Sequence, residues 1–161
     1  IVASYPFEWS NGQETQLALA LNVNSSSLES DASAFLNEED RFDFENEDPS
    51  VRWNLTANHN VGDLSIMARA RYYGESDNSN SSGNLVIQTF ESTLFMDLEA
   101  TYRFTDNWMI SVGGRNIFDA YPDRTDKVAS NNDQCCGRQY VSGGIVPWQG
   151  GYYYSRLAVS F

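Results

Sequence analysis

The chain has 161 residues, enough for a hydrophobic core of ordinary size, so its length excludes little. Its net charge of −12 and the scatter of its ten basic residues argue against a nucleic-acid-binding protein, because phosphates are bound by clustered Lys and Arg. It has no run of about 18 apolar residues, which excludes a transmembrane helix. The 14% aromatic content, with 11 Gly and many Asn and Ser, is typical of β-strands joined by polar loops.

Seven segments alternate apolar and polar residues, the pattern of strands whose two faces meet different environments. In chain order they are the opening segment and residues 15–24, 51–60, 64–73, 93–104, 108–118 and 152–161. The alternation is clearest in residues 93–104, where Leu94, Met96 and Leu98 share one face. Asp97 and Glu99 lie on the other face. The pattern therefore predicts about seven antiparallel strands.

The connections between these segments alternate between short and long. Residues 9–12, 60–63 and 105–107 form tight turns, whereas residues 25–50, 75–92 and 119–150 are long and polar. Short turns on one rim and long outward-facing loops on the other are typical of outer-membrane barrels. We expect no helix beyond a short turn and no second domain. The first residues already alternate like the middle of a strand, so we also expect further sequence upstream.

A soluble antiparallel sandwich would also have one apolar and one wet face. Two features favour a membrane barrel instead. The strands run near ten residues, which is long for a sandwich and suits a tilted membrane span. Aromatic residues also concentrate near strand ends, as an interfacial girdle requires. They are Trp53, Tyr72, Tyr73, Tyr102, Phe104, Trp108, Phe118, Tyr152 and Tyr153.

Four segments carry a resemblance to a known family. Residues 113–122, GGRNIFDAYP, resemble the Asn-Leu-Phe-Asp…Tyr signature in the next-to-last strand of TonB-dependent outer-membrane receptors, with Ile117 where Leu is usual. Residues 150–161, GGYYYSRLAVSF, look like their aromatic-rich final strand, which closes on a terminal Phe. Residues 49–56 and 64–74 are similar to the Pro-x-x-Arg and Arg-x-x-Tyr-x-Gly strand pair of the same receptors. The resemblance covers most of the chain except the loops.

The resemblance implies an all-β fold, a transmembrane antiparallel β-barrel segment. Residues 1–161 would be the C-terminal portion of a barrel of roughly 22 strands, whose N-terminal plug and earlier strands are absent from this chain. The implied function is TonB-dependent uptake of a scarce nutrient across the bacterial outer membrane, with the long loops extracellular and the C-terminus periplasmic. An iron-siderophore chelate is the default cargo. Oligosaccharide or cobalamin uptake, a passive porin or structural barrel, and a secreted carbohydrate-binding sandwich remain alternatives.

The implied partners are the rest of the barrel and its plug, the TonB energy-transducing protein, outer-membrane lipid and lipopolysaccharide, and a small-molecule nutrient. One face would form a charged lumen wall, made of Arg69, Arg71, Asp97, Glu99, Arg103, Arg115 and Arg156. Such rows tune ion selectivity in an open porin and hydrogen-bond the plug in a plugged transporter. The resemblance favours the second role.

Ligand contacts are expected from the outer loops and the upper wall, since aromatic rings stack on sugars or siderophore rings and Arg pairs with carboxylates. The candidates are Tyr121, Arg124, Arg138, Tyr140, Trp148 and Tyr152. Ordinary loop packing is the alternative for each of them.

No enzymatic site is indicated. His59 is the only histidine and has no Ser or Cys with an orienting acid near it in sequence, so we expect a structural or interfacial role. Cys135 and Cys136 lie in the longest loop, and we expect a disulfide, either between them or to cysteines outside this chain. Two adjacent ligands lack zinc-site spacing. The acidic residues 38–48 are expected to be a solvated loop, with a divalent-cation site as the alternative. We expect no cofactor and no bound metal.

Overall fold

The computed structural model describes residues 1–29, 34–80, 86–125, 139–141 and 144–160. Arg138, Cys135, Cys136 and Phe161 lie outside the described residues. The elements in chain order are β1 (Val2–Glu8), β2 (Glu14–Val23), α1 (Glu38–Asn46), β3 (Val51–Val61), β4 (Leu64–Tyr73), β5 (Ser76–Asn80), β6 (Val86–Phe90), β7 (Thr93–Thr105), β8 (Trp108–Arg115) and β9 (Tyr152–Val159). No helix within these ranges is long and apolar enough to cross a membrane.

Seven of the strands form one antiparallel sheet in the order β1-β2-β3-β4-β7-β8-β9. These are the seven strands that the alternation predicts, so that prediction is confirmed. The boundaries of β4 agree residue for residue. Strand β8 ends at Arg115, three residues earlier than predicted. It ends there because Asn116 has a positive φ of 49°, which turns the chain out of the ladder.

The short and the long connections lie at opposite rims of the sheet. The β1–β2, β3–β4 and β7–β8 connections are tight turns, and we call their side the short-turn rim. Gly12 (φ 79°) and Gly62 (φ 55°) occupy left-handed positions in the first two turns, which only glycine adopts without cost. The β2–β3, β4–β7 and β8–β9 connections define the long-loop rim.

Two of the long connections contain regular structure that the sequence pattern did not predict. The helix α1 lies in the β2–β3 connection, and the two-stranded sheet β5–β6 lies in the β4–β7 connection. The expectation of no helix beyond a short turn is therefore wrong. Helix α1 begins at an N-cap, Asn37, whose side chain accepts from the backbone N–H of Asp40 at 2.7 Å. Its first turn is acidic, which suits the helix dipole.

The strand register separates the side chains into an apolar face and a polar face. The apolar face runs unbroken across all seven strands, because directly opposed residues lie on the same side of a sheet. Its exposed large apolar members include Tyr5, Phe7, Leu17, Leu19, Val23, Leu55, Val61, Leu94, Leu98, Tyr102, Phe104, Trp108, Val112, Tyr153 and Leu157. The polar face holds Thr93, Asp97 and Ser111, which are buried. A continuous row of exposed apolar side chains opposite a buried carboxylate is unusual for a water-soluble protein.

Aromatic rings cluster at both ends of the apolar face. Trp53 stacks on Tyr72 near the long-loop rim with centroids 5.3 Å apart, and Tyr102 meets Phe104 edge to face at 5.1 Å near the short-turn rim. Tyr72 pairs with Leu94, ten residues before Phe104 on β7. Ten residues of strand span about 34 Å, or about 24–28 Å along the membrane normal at a tilt of about 35–45°. This height matches the apolar band of roughly 25 Å in outer-membrane barrels.

Candidate functional site

The polar face carries all seven residues of the predicted charged wall. The register places Arg69 opposite Asp97, Arg103 opposite Met109, and Arg115 opposite Tyr152. The same face also holds Arg71 of β4, Glu99 of β7 and Arg156 of β9. Arg69 donates to the hydroxyl of Thr56 at 3.2 Å, which links β4 to β3. Arg103 and Arg115 are exposed.

Asp97 is the most buried charge of this wall, at 3% exposed. Its Oδ1 accepts from the Arg71 guanidinium and from the backbone N–H of Asn116, both at 3.0 Å. The Arg71 guanidinium also lies 5.3 Å from the ring centre of Phe95, which is buried. Removing one partner of such a buried pair typically costs about 3–5 kcal/mol, because the remaining charge is left uncompensated. This contact therefore ties β4, β7 and the end of β8 together.

A second polar cluster joins β7 to β9. Both carboxylate oxygens of Glu99 accept from Arg156, at 3.1 and 3.2 Å, and Glu99 also accepts from the hydroxyl of Tyr154. Tyr154 lies directly opposite Gly113 of the intervening strand, and a Cβ on Gly113 would stand 2.8 Å from its hydroxyl. Glycine at 113 is therefore required for the tyrosine to reach across β8 to Glu99. A similar contact occurs on the apolar face, where Tyr153 lies directly opposite Gly114 and a Cβ on Gly114 would be 2.7 Å from the tyrosine ring.

The Asn116–Asp119 turn closes the base of the β8–β9 connection. Both residues have positive φ, 49° and 54°, which Asn and Asp tolerate better than other side chains. The Asn116 side chain donates to the carbonyls of Ala120 (2.8 Å) and Gln149 (3.3 Å) and accepts from the Ala120 N–H (2.9 Å). Asp119 accepts from the backbone N–H of Gly151 at 2.7 Å. The two ends of the connection are therefore held together where they leave the sheet, and we call this set of contacts the clamp.

Three of the six predicted ligand-contact residues come together just beyond the clamp. Tyr121 stacks on Tyr140 and Tyr140 on Trp148, each with ring centroids 6.3 Å apart and planes within 14° of parallel. Tyr121 and Trp148 are 47% and 59% exposed. We call these three rings the aromatic platform. The expected role as ligand contacts stays a prediction.

The other predicted contact residues lie elsewhere or are not described. Tyr152 lies on the polar face at the start of β9, with its ring 6.2 Å from that of Tyr154. The carbonyl of Arg124 accepts from the Gln88 side chain at 2.9 Å, and the Arg124 side chain is exposed. The placement of Arg138 is outside the described residues. The structure thus splits the predicted set between the long-loop rim and the sheet wall.

Two hydrogen bonds support the platform. The hydroxyl of Tyr121 is hydrogen-bonded to the Asp119 carboxylate, and this bond, followed by burial, raises the pKa of Tyr121 above its usual value of 10.0. The backbone N–H of Thr125 donates to the carbonyl of Gln139 at 3.0 Å, which brings the chain after Tyr121 beside the chain before Tyr140. The platform is therefore attached to the clamp.

A cleft beside the platform is lined by Tyr140 and Trp148, by the acidic residues Glu47, Glu91 and Asp123, and by apolar residues that include Pro49, Phe90 and Ile145. None of the described residues that line it is basic. The Asp123 carboxylate also accepts from the backbone N–H of Glu91 at 2.7 Å, which joins the β8–β9 connection to the end of β6. The long-loop rim thus combines aromatic rings with negative charge.

His59 takes part in a short polar chain that sequence reasoning did not specify. The indole N–H of Trp9 donates to the hydroxyl of Thr15, which lies 2.8 Å from Nδ1 of His59. Thr15 and His59 are directly opposed on the apolar face near the short-turn rim. This position agrees with the expected structural or interfacial role, and only the strand register, which sequence alone leaves open, brings the three residues together.

Two crystal structures are similar to the chain. Both are variants of the ferric enterobactin receptor from Pseudomonas aeruginosa, one a single mutant and the other a double mutant. Each aligns with a TM-score of 0.62 and 20% sequence identity over 99% of this chain and 22% of the receptor chain, so the chain spans about a fifth of the receptor's length. No family model and no curated protein matches the sequence. The chain has the antiparallel fold of part of a β-barrel receptor.

Proposed function

We propose that the chain is part of the wall of a TonB-dependent transporter in the bacterial outer membrane. The observation that carries the proposal is that the sheet exposes its apolar face. Leu94 is 48% exposed and Leu98 is 44% exposed on this face, whereas Asp97 on the opposite face is 3% exposed. An apolar face of this size needs an apolar environment, and a tilted antiparallel wall in lipid supplies it. The fold likeness to the ferric enterobactin receptor supports the same function.

In this proposal residues 1–161 form the C-terminal portion of a barrel of roughly 22 strands. Strands β1 and β9 bound the described sheet, and each pairs within it on one side. Strand edges inside a bilayer require partners, because no water is present to satisfy the backbone. Further strands of the same barrel would pair with both edges, and the long-loop rim would face the outside.

The polar face would line the lumen and contact a plug. Arg103 and Arg115 are exposed there and present guanidinium groups, which suit hydrogen bonds to the carbonyls and carboxylates of a plug, and Arg156, which pairs with Glu99, is exposed beside them. Arg71 and Asp97 are already paired with each other and would hold the wall in shape. The cargo is a scarce nutrient, by default an iron-siderophore chelate, with an oligosaccharide or cobalamin as alternatives.

The alternative function is that of a passive porin. The two functions differ in energy coupling, because only the active transporter requires TonB. The test measures uptake of a labelled ferric siderophore and of a labelled oligosaccharide by cells that express the full-length protein, with and without a functional TonB protein. Transport of at least one probe is expected to require TonB. Equal uptake in both backgrounds at every probe concentration would contradict active transport and support a passive pore.

A further inference from the structure

The last strand of the sheet, β9, has no tight turn to set its register against β8. A tight turn fixes which residues of two strands face each other, but β8 and β9 are joined by residues 116–151. The backbone ladder does not choose a register either, because nearly every residue offers the same N–H and C=O groups. A shift of β9 by two residues would also keep each side chain on its own face. The native register must therefore be selected by side chains.

On the apolar face, a ring of β9 occupies the space above a glycine of β8. Tyr153 lies directly opposite Gly114, and a Cβ on Gly114 would stand 2.7 Å from Cδ1 of the ring. The Tyr153 hydroxyl donates to the carbonyl of Ile117 at 3.0 Å, which holds the ring in place along β8. Gly114 is the one glycine of β8 on this face, so the ring has one position along the strand that admits it.

On the polar face, β9 contacts the strand beyond its neighbour. Tyr154 lies opposite Gly113, which in turn lies opposite Glu99 of β7. The Tyr154 hydroxyl donates to the Glu99 carboxylate across this glycine, and Arg156 donates to both oxygens of the same carboxylate at 3.1 and 3.2 Å. These contacts join β9 to β7, so they too depend on where β9 stands along β8.

A shift of two residues in one direction loses the contact on the apolar face. It would bring Tyr152 opposite Gly113 and Tyr153 opposite Val112. A tyrosine would still lie over Gly113, so this glycine alone does not select the native register. Val112, however, has a Cβ where the ring of Tyr153 requires a glycine. The shift would also move Tyr154 about 7 Å along the strand, away from its acceptor on β7.

A shift in the other direction loses the contacts on both faces. It would bring Ser155 opposite Gly114 and Arg156 opposite Gly113, so that no ring would lie over either glycine. Exposed backbone beside an uncovered glycine loses packing that a large neighbouring side chain supplies. The native register is therefore the one of the three that places a ring over both glycines.

We infer that the contacts Tyr153–Gly114 and Tyr154–Gly113, which we call the register lock, set the register of β9 against β8. The clamp joins the two ends of the same connection, but its side-chain hydrogen bonds go to backbone groups, which neighbouring residues also present. In the proposed barrel, this register also fixes the stagger at which β9 meets its other neighbour. The inference itself holds for a transporter and for a passive porin alike.

The test reads the register by disulfide cross-linking in a cysteine-free background of the full-length protein. Val112→Cys with Ser155→Cys reports the native register, because these residues are directly opposed. Ile110→Cys with Ser155→Cys reports one shifted register, and Val112→Cys with Leu157→Cys reports the other. Directly opposed residues lie within reach of a disulfide, whereas diagonal neighbours are about 7–8 Å apart and lie beyond it. The wild-type sequence is expected to cross-link mainly through the native pair.

Two variants disturb the register lock from its two sides. Gly114→Ala places a Cβ against the ring and is expected to raise the ratio of shifted to native cross-links at least about fivefold. Tyr153→Ala removes the ring and should change the ratio in the same direction, whereas Tyr153→Phe keeps the ring and should retain the native register. Gly74→Ala is the matched control, because its Cβ would lie 3.0 Å from the backbone oxygen of Val51, which is remote from β9. Its ratio is expected to equal that of the wild type.

Three results would overturn the inference. One is that Gly114→Ala and Tyr153→Ala both cross-link through the native pair as the wild type does, which would assign the register to the clamp. Another is that Gly74→Ala raises the ratio as much as Gly114→Ala, since general loss of packing would then explain the shift. The third is a wild type that cross-links mainly through a shifted pair. Should Gly114→Ala yield no folded protein, Tyr153→Ala, which adds no atoms, decides between these outcomes.

Discussion

Two residues with left-handed backbone, Asn116 and Asp119, organise the long-loop rim. Such conformations cost on the order of 1–3 kcal/mol each unless the surroundings compensate. Here the compensation is visible, since Asn116 makes three side-chain hydrogen bonds and Asp119 accepts from Gly151. The resemblance marked these positions as a motif in the sequence, but it did not indicate that the motif joins the two ends of the connection.

Gly151 tests the clamp directly. A Cβ at this position would lie 2.5 Å from the backbone oxygen of Asn116, so Gly151→Ala must push the two chains apart. We expect it to destabilise the full-length protein by about 1–3 kcal/mol, the usual cost of overpacking. Gly144→Ala is the control, because its Cβ would meet Val141 at 3.6 Å, an ordinary contact. Unfolding by urea in detergent measures both, and equal stability of the two variants would refute the clamp.

Tyr121 gives the clamp a pH dependence. Its pKa is raised because Asp119 accepts a hydrogen bond from the neutral phenol, so this contribution to stability is complete below the unfolded value near 10.0. It is lost as the pH rises through the higher folded pKa. The absorbance at 295 nm of the wild type minus that of Tyr121→Phe should therefore titrate with a midpoint above 10.0. Asp119→Asn should lower that midpoint, and a wild-type midpoint at or below 10.0 would contradict the hydrogen bond.

At the scale of elements, alternation located the strands that have different surroundings on their two faces. Residues 64–73 and 93–104 alternate strictly, and β4 and β7 occupy them almost residue for residue. The hairpin β5–β6 escaped prediction because its first strand, Ser76–Asn80, is polar on both faces. Helix α1 was not predicted because it lacks an apolar stripe and buries no residue, so that only its N-cap and its acidic first turn indicated a helix.

Part of the candidate site could be predicted from the sequence, because alternation also shows which polar residues share a face. Period-two alternation is enough to place Arg71, Asp97 and Glu99 on one face. Which of them pair depends on the register across strands, and alternation within a strand does not fix the register. The aromatic platform could not be predicted from alternation, because Tyr121 and Trp148 are 27 positions apart and are brought to one site, on either side of Tyr140, where the clamp joins the two ends of the connection.

The apolar face makes a prediction for single substitutions on β7. Leu98 is midway between the aromatic clusters and 44% exposed, so Leu98→Arg would be nearly neutral on a wet surface. Against lipid it should destabilise the folded full-length protein by about 2–4 kcal/mol. Asn58→Arg is the matched control, since Asn58 lies on the polar face of β3 opposite the uncharged residues Gln16 and Met67. Heat-modifiable gel mobility compares the two, and equal folded fractions would argue against lipid contact.

At the scale of the whole chain, charge and apolarity are sorted into three zones. The long connections carry the net charge, the apolar face is continuous and exposed, and the opposite face holds the ion pairs Arg71–Asp97 and Arg156–Glu99. A soluble sandwich would cover the apolar face with a second sheet. Within the described residues, the other sheet has only two strands, β5 and β6, and belongs to a connection at the long-loop rim. This arrangement is the one that the proposed membrane wall requires, with its acidic rim facing the outside.

In the proposed barrel wall, the apolar face meets lipid and the polar face meets water. Spin labels attached to Leu98→Cys and Asn54→Cys, each in a cysteine-free background of the full-length protein in bilayers, report this directly through relaxation by oxygen and by a water-soluble nickel chelate. The label at 98 is expected to be relaxed mainly by oxygen, which partitions into lipid, and the label at 54 mainly by the nickel chelate. Preferential relaxation of the label at 98 by the nickel chelate would contradict the account.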